Sequence, residues 1–226
     1  MQAKLMTFVL ILTMVALTTS ALAQDPIAHY PLESDAADAT GNHDDMELED
    51  CPFQDGGIYC NGSFWDFTCQ TPILSDMSQE LFTFIVDFKI DTYHSVNMPV
   101  MWLGYGWRTL GFEISPDGYA GLTTGSGDSY FVPSDVMVSL GEWHTARISW
   151  NAEMGFASCY MDGDLITLAE RDPINPSTDM RLLPKNGSYA RAFEGTLKNL
   201  YIYNTDDPEV VAIEGKSFSN VKSMFK

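Results

Sequence analysis

The sequence predicts an all-β fold, a sandwich or a barrel, and three observations carry that expectation. Apolar residues recur with period two in short runs. Gly, Pro, Asn and Asp turns interrupt those runs at regular spacing, and aromatic residues make up 12% of the chain. Period two marks a strand because successive side chains point to opposite faces of a sheet. Many short strands must then pack as layers, or close on themselves, to bury their apolar faces.

The elements follow in chain order. "CPFQDGGIYC" (51–60) predicts a hairpin that turns through Gln54-Asp55-Gly56-Gly57 and sets Cys51 opposite Cys60. "FTFIVDFKI" (82–90) places Phe82, Phe84, Val86, Phe88 and Ile90 on one face. "VMWLGYGWRTLGFEIS" (100–115) reads as two strands around a Gly104–Thr109 loop, and "PDG" (116–118) turns the chain into "YAGLTTGSGDSYFV". "EWHTARISW" (142–150) is a strand flanked by Trp143 and Trp150, both read as packing residues. "ASCYMDGDLITL" (157–168) is a hairpin whose Asp162-Gly163 centre suits a type I′ turn. "GTLKNLYIYN" (195–204) is the last strand, and the tail (205–226) holds one short helix after Pro208 that Gly215 breaks.

The leader has the features of a secretory signal. Lys4 precedes an apolar run from Phe8 to Leu17, and Ala21-Leu22-Ala23 supplies the small-x-small cleavage pattern. A membrane span needs roughly 18 or more apolar residues, and this run is shorter and broken by Thr13, Thr18 and Thr19. Residues 1–23 are therefore expected to be removed, leaving one domain over 24–204. The mature protein is expected to be secreted, extracellular, or periplasmic in a bacterium. In such a compartment Cys51, Cys60, Cys69 and Cys159 are expected to form disulfides. The hairpin favours Cys51 with Cys60, which leaves Cys69 with Cys159 to join distant strands. Zinc is disfavoured because no two cysteines show the short CxxC spacing.

Charge narrows the partners. The net charge is −19, with 31 acidic and 12 basic residues, and no Lys or Arg occurs between Lys4 and Lys89. Such a chain does not track nucleic-acid phosphates, and anionic membranes repel it. It attracts divalent cations.

Seven pieces carry a resemblance. They are "IAHYPLESDAADATGN", "DGGIYCNGS", "FTFIVDFKI", "ISPDGYAGLTTGSG", "GEWHTARISWN", "CYMDGDLI" and "FEGTLKNLYIYN". In order and spacing the chain resembles the laminin-G-like branch of the concanavalin A-like lectin/glucanase superfamily. The "GEWHTARISW…YMDGDLI" block is the most specific. The resemblance implies a two-sheet antiparallel β-sandwich, a concanavalin A-like jelly roll, that binds glycans or glycoproteins. It also implies a structural calcium where the first turn meets the last strand, held by Asp38, Asn42 and a backbone carbonyl near His43. Many relatives carry G-x-I-D-E on that strand. Here "GTLKNL" puts Lys198 where the ligand Asp would stand, and an ammonium has no acceptor to offer a cation. Lys198 then replaces the cation and pairs with Asp38, or Asn199 and backbone oxygens complete the shell, or the register is shifted.

Catalysis on this fold needs two carboxylates, roughly 5 Å apart in a retaining glycosidase and about 6.5–9.5 Å in an inverting one. Glu47 and Glu49 in "MELED" are the nearest approach, and they lie outside a central strand. No nucleophile elbow, dinucleotide loop or H-E-x-x-H is present. The expectation is a secreted module without enzymatic activity that binds extracellular carbohydrate or glycoprotein. Tyr105, Trp107 and Arg108, flanked by glycines at a hairpin tip, are the candidate binding residues, unless Trp107 packs into the core or the sheet edge. The alternatives are a glycoside hydrolase or polysaccharide lyase of the same fold, and an acidic calcium-binding matrix protein.

Overall fold

Alternation along the chain resolves into fifteen strands among the described residues. The computed structural model describes residues 24–49, 51–62, 68–71, 76–78, 80–103, 110–124, 131–170, 180–182 and 193–205. The expected leader and tail helix and the 104–109 loop lie outside them. The strands are β1 (Ala28–Tyr30), β2 (Glu47–Glu49), β3 (Phe53–Gln54), β4 (Gly57–Asn61), β5 (Thr68–Gln70), β6 (Leu81–Ile90), β7 (Met98–Leu103) and β8 (Leu110–Ile114). They continue as β9 (Tyr119–Thr123), β10 (Phe131–Met137), β11 (His144–Asn151), β12 (Phe156–Met161), β13 (Asp164–Glu170), β14 (Met180–Leu182) and β15 (Glu194–Tyr203). They form two antiparallel sheets. Sheet I runs β13-β12-β11-β6-β15-β4-β3, with β1 also paired to β15, and sheet II runs β10-β9-β8-β7-β14-β5-β2. All belong to one compact unit, Pro26–Asp206. Among the described residues no helix is long and apolar enough to cross a membrane.

The inner faces of the two sheets make the core. The even-numbered residues of β6 from Phe82 to Ile90 are all buried, and they meet Leu110, Phe112 and Ile114 of β8. The Phe88 and Phe112 rings lie 5.5 Å apart across the interface. Trp150 is wholly buried. Each such side chain contributes about 1.5–3 kcal/mol by leaving water. Asp162 and Gly163 take φ of 53° and 91°, the type I′ conformation that the β12–β13 hairpin requires. Asp55 and Gly56 do the same between β3 and β4, at 55° and 73°.

The hairpin register sets Cys51 opposite Cys60. Phe53 pairs with Ile58 and Gln54 with Gly57, and the Tyr59 N–H donates to the Pro52 carbonyl at 2.8 Å. Counting outward, Cys51 and Cys60 occupy a non-hydrogen-bonded position, where Cα atoms approach to about 4.5 Å. That lies inside the range a disulfide spans. No disulfide joins Cys51 and Cys60 in this structure, and the Cys51 Sγ donates to the Glu49 carbonyl at 3.4 Å. In an oxidising compartment non-reducing peptide mapping is expected to recover a Cys51–Cys60 link worth about 2–3 kcal/mol. A peptide linking Cys69 to either residue would contradict this pairing.

The expected Cys69–Cys159 pair is corrected by topology. Cys159 sits on β12 with its Sγ 3.9 Å from the Gly121 carbonyl of β9. Cys69 sits on β5, four strands from β9 in sheet II. At about 4.8 Å per strand the gap is roughly 19 Å, far beyond a bridge. Cys159 is a wholly buried free thiol, and burial pushes its pKa up and keeps it protonated.

Candidate functional site

In sheet II the face turned away from the core is itself buried. On β8 Leu110, Phe112 and Ile114 point inward, so Gly111 and Glu113 point outward. On β9 Ala120 and Leu122 point inward, leaving Gly121 and Thr123 outward. A bulge between Pro99 and Met101 lets β7 send Val100, Met101 and Leu103 to the core and Trp102 outward. The registers align these positions in two rows. One reads Phe131, Thr123, Gly111, Trp102, Arg181, and the other reads Pro133, Gly121, Glu113, Pro99.

The two rows pack closely. A Cβ on Gly111 would lie 2.9 Å from the Met101 carbonyl and 3.8 Å from both Thr123 Cβ and Trp102 Cα. A Cβ on Gly121 would strike the Val132 carbonyl and lie 2.7 Å from the Phe131 ring. Only glycine fits at either place, and Trp102, Thr123, Phe131 and Glu113 are neighbours in the two rows. Glu113 and Thr123 are fully buried, Trp102 is 4% exposed, and Asn97 Nδ2 donates to Glu113 Oε2 at 3.3 Å. The Thr123 hydroxyl has no hydrogen-bond partner among the described residues. Leaving a buried hydroxyl unpaired is costly. An indole, a carboxylate, a hydroxyl and an amide on one face of a sheet are groups that a ligand with one apolar face and several hydroxyls uses.

Two chain connections begin and end beside these rows. Residues 104–109 leave sheet II after Leu103 and return at Leu110, next to the Trp102–Gly111 pair. The 124–130 connection leaves after Thr123 and returns at Phe131, which pair with each other. Both spring from the end of the sheet where the first row lies. The side chains of Tyr105, Trp107 and Arg108 lie outside the described residues. Sequence reasoning stopped at that loop and missed Trp102, Glu113 and Thr123. The signal was "LGFEI" followed by "AGLT", where the outward positions alternate glycine with one polar residue.

Other expected sites fare differently. Glu47 and Glu49 are exposed on one face of edge strand β2. That strand is four strands from Glu113, roughly 19 Å, which excludes a catalytic pairing with it. Trp143, expected to pack, is instead 38% exposed just before β11. His144 Nδ1 lies 2.8 Å from Asp162 Oδ2.

The Asp38 loop does not fit a calcium. Asp38 is 7% exposed, and its carboxylate already accepts five hydrogen bonds. The His29 and Thr40 N–H groups donate to Oδ1 at 2.9 and 3.1 Å. The Thr40 hydroxyl and the Asn42 and His43 N–H groups donate to Oδ2 at 2.5, 3.2 and 3.1 Å. A carboxylate offers about four lone-pair sites, so few remain for a cation. Asn42 and His43 turn their N–H groups, not their oxygens, toward it. Burial opposes ionisation of Asp38, but the Thr40 hydroxyl and the His29, Thr40 and His43 N–H groups outweigh it and hold the carboxyl below the usual range. The expected Asp38–Lys198 pair is corrected as well. Lys198 pairs in register with Asp87, and its Nζ lies 4.3 Å from the Trp143 ring centroid. Asn199, at φ 53°, donates its N–H to the Pro31 carbonyl and its Nδ2–H to Asp87.

No family model and no curated protein matches the chain. Solved structures do. Domain 4 of AbnA, a GH43 extracellular arabinanase from Geobacillus stearothermophilus in complex with arabinotriose, is 17% identical with a TM-score of 0.60, over 80% of this chain and 93% of that one. The Trypanosoma rangeli sialidase in complex with a difluoro-KDN compound is 14% identical with a TM-score of 0.63, over 80% of this chain and 30% of that one. The same sialidase with the inhibitor DANA gives 13% and 0.62, over 84% of this chain and 32% of that one. This chain therefore spans about a third of the sialidase length. The expectation of no enzymatic activity is corrected on this finding, because the chains that share the fold belong to glycoside-cleaving enzymes. What the likeness shows is the fold: an all-β, two-sheet antiparallel sandwich of the jelly-roll kind, one that carbohydrate-active proteins also use.

Proposed function

We propose that this chain is a secreted, laminin-G-like β-sandwich of glycan-processing machinery that holds saccharide on the outward face of sheet II. The observation that carries the reading is the pair of buried polar side chains Glu113 and Thr123 on that face, with Trp102 beside them. The indole takes the apolar face of a sugar ring, and Thr123, Glu113 and Asn97 take its hydroxyls. Tyr105, Trp107 and Arg108 extend the site from the adjoining connection. The arabinotriose held by the similar arabinanase domain supports this ligand class. Isothermal titration with arabinotriose and with neutral galactosides is expected to detect saturable binding that Trp107→Ala weakens about tenfold, the size of a lost stacking contact. Unchanged affinity in Trp107→Ala would remove the loop from the site, and no binding across a glycan panel would refute the reading.

A hydrolytic role is the second reading, and Glu113 favours it. A fully buried carboxylate is the kind of group a glycosidase uses as acid or nucleophile. Its partner carboxylate is not among the described residues of that face. Incubation with arabinan and aryl glycosides, in the parent and in Glu113→Gln, tests it. Turnover abolished by Glu113→Gln with binding retained supports hydrolysis. Absence of turnover leaves recognition alone.

A further inference from the structure

The outward face of sheet I carries a second arrangement. Lys89 on β6 and Lys198 on β15 stand on adjacent strands, and Lys198 pairs with Asp87, two residues before Lys89. Phe88, Ile90 and Leu197 point into the core, so both lysines point outward. Their ammonium groups lie 5.5 and 4.3 Å from the Trp143 ring centroid. Trp143 is 38% exposed.

Two positive charges beside each other need a reason in a chain with 31 acidic residues and 12 basic ones. One carboxylate stands beside the two ammoniums, and its oxygens are shared with neutral donors. Asp87 accepts from the Thr145 hydroxyl at 2.7 Å through Oδ1 and from Asn199 Nδ2 at 2.8 Å through Oδ2. Among the described residues neither lysine pairs with a carboxylate, and the ion pairs present all involve histidines. The cation–π contacts that hold the ammoniums are weak at an exposed site, so an anion displaces them readily.

We propose that Trp143, Lys89 and Lys198 form a site for a saccharide that bears an acidic group. The acid draws the two ammoniums off the indole, and the sugar ring stacks on the face they vacate. A neutral sugar gains only the stacking, so the site discriminates by charge. It lies on the opposite sheet from Glu113 and Thr123 and stands or falls separately.

The test uses the full secreted chain and follows the Trp143 indole N–H by NMR. 3′-Sialyllactose and a sulfated disaccharide are titrated beside lactose. The expected result is a saturable shift with at least one acidic sugar and none with lactose. The one that binds identifies the acid as carboxylate or sulfate. Affinity should fall severalfold between 50 and 300 mM salt. The double substitution Lys89→Met and Lys198→Met should weaken acidic-sugar binding about tenfold, and the Lys→Arg pair should restore it. Circular dichroism of each variant separates lost binding from lost folding. Equal response to lactose, no response to either acidic sugar, or undiminished binding in a folded Met pair would overturn the proposal.

Discussion

Asp38→Ala is expected to lower stability at neutral pH by about 3 kcal/mol, because several buried donors lose their acceptor at once. For a domain of this size that corresponds to a fall in Tm of about 6–12 °C. The effect should depend on pH in a defined direction. The folded-state pKa of Asp38 lies below its unfolded value, with burial opposing and the Thr40 hydroxyl and the His29, Thr40 and His43 N–H groups prevailing. Its contribution is therefore fully present above the unfolded value of about 3.9 and is lost as pH falls through the folded pKa. The parent and Asp38→Ala should converge in stability in strong acid. Scanning calorimetry across that range reads this directly. Calcium at millimolar concentration should shift the Tm no more than magnesium does. A calcium-specific rise that Asp38→Ala removes would show that the carboxylate exchanges its N–H donors for a cation.

Thr123→Val carries the second large effect, and it acts in two directions. Valine has the shape of threonine without the hydroxyl. The Thr123 hydroxyl is fully buried and has no partner among the described residues, so removing it should stabilise the fold by about 1–2 kcal/mol. The same change removes a bond to the saccharide and should weaken binding about tenfold. Gain of stability with loss of function is the usual mark of a site held in an unfavourable state for the sake of its ligand. Urea melts and sugar titrations on the same sample measure both. A destabilised variant that binds normally would show that the hydroxyl serves the fold instead.

The strands were legible because each is a local pattern. "FTFIVDFKI" alternates, and its even-numbered residues are the ones buried. The two hairpins were legible because Asp-Gly turns admit positive φ. What was not legible depends on contacts that the chain makes far from itself. The Cys69–Cys159 pairing failed because strand order within a sheet sets the distance, and no local spacing encodes that order. The Asp38 loop looked like a metal site because carboxylates attract cations. Its own backbone N–H groups fill that role once the loop closes. Lys198 misled because the bulge between Lys198 and Tyr201 changes which residue faces which way. Trp143 misled by one position, since β11 begins at His144. The outward face of sheet II was hidden because "MPVMWL" is apolar at every position and loses the alternation that separates two faces.

The central claim is that saccharide binds the outward face of sheet II. The most direct measurement is a backbone and indole NMR titration with arabinotriose. The account predicts that the amides of Gly111, Glu113, Gly121 and Thr123 and the Trp102 indole N–H shift together along one saturable curve. Saturable binding that leaves those five signals in place, while signals elsewhere move, would contradict it.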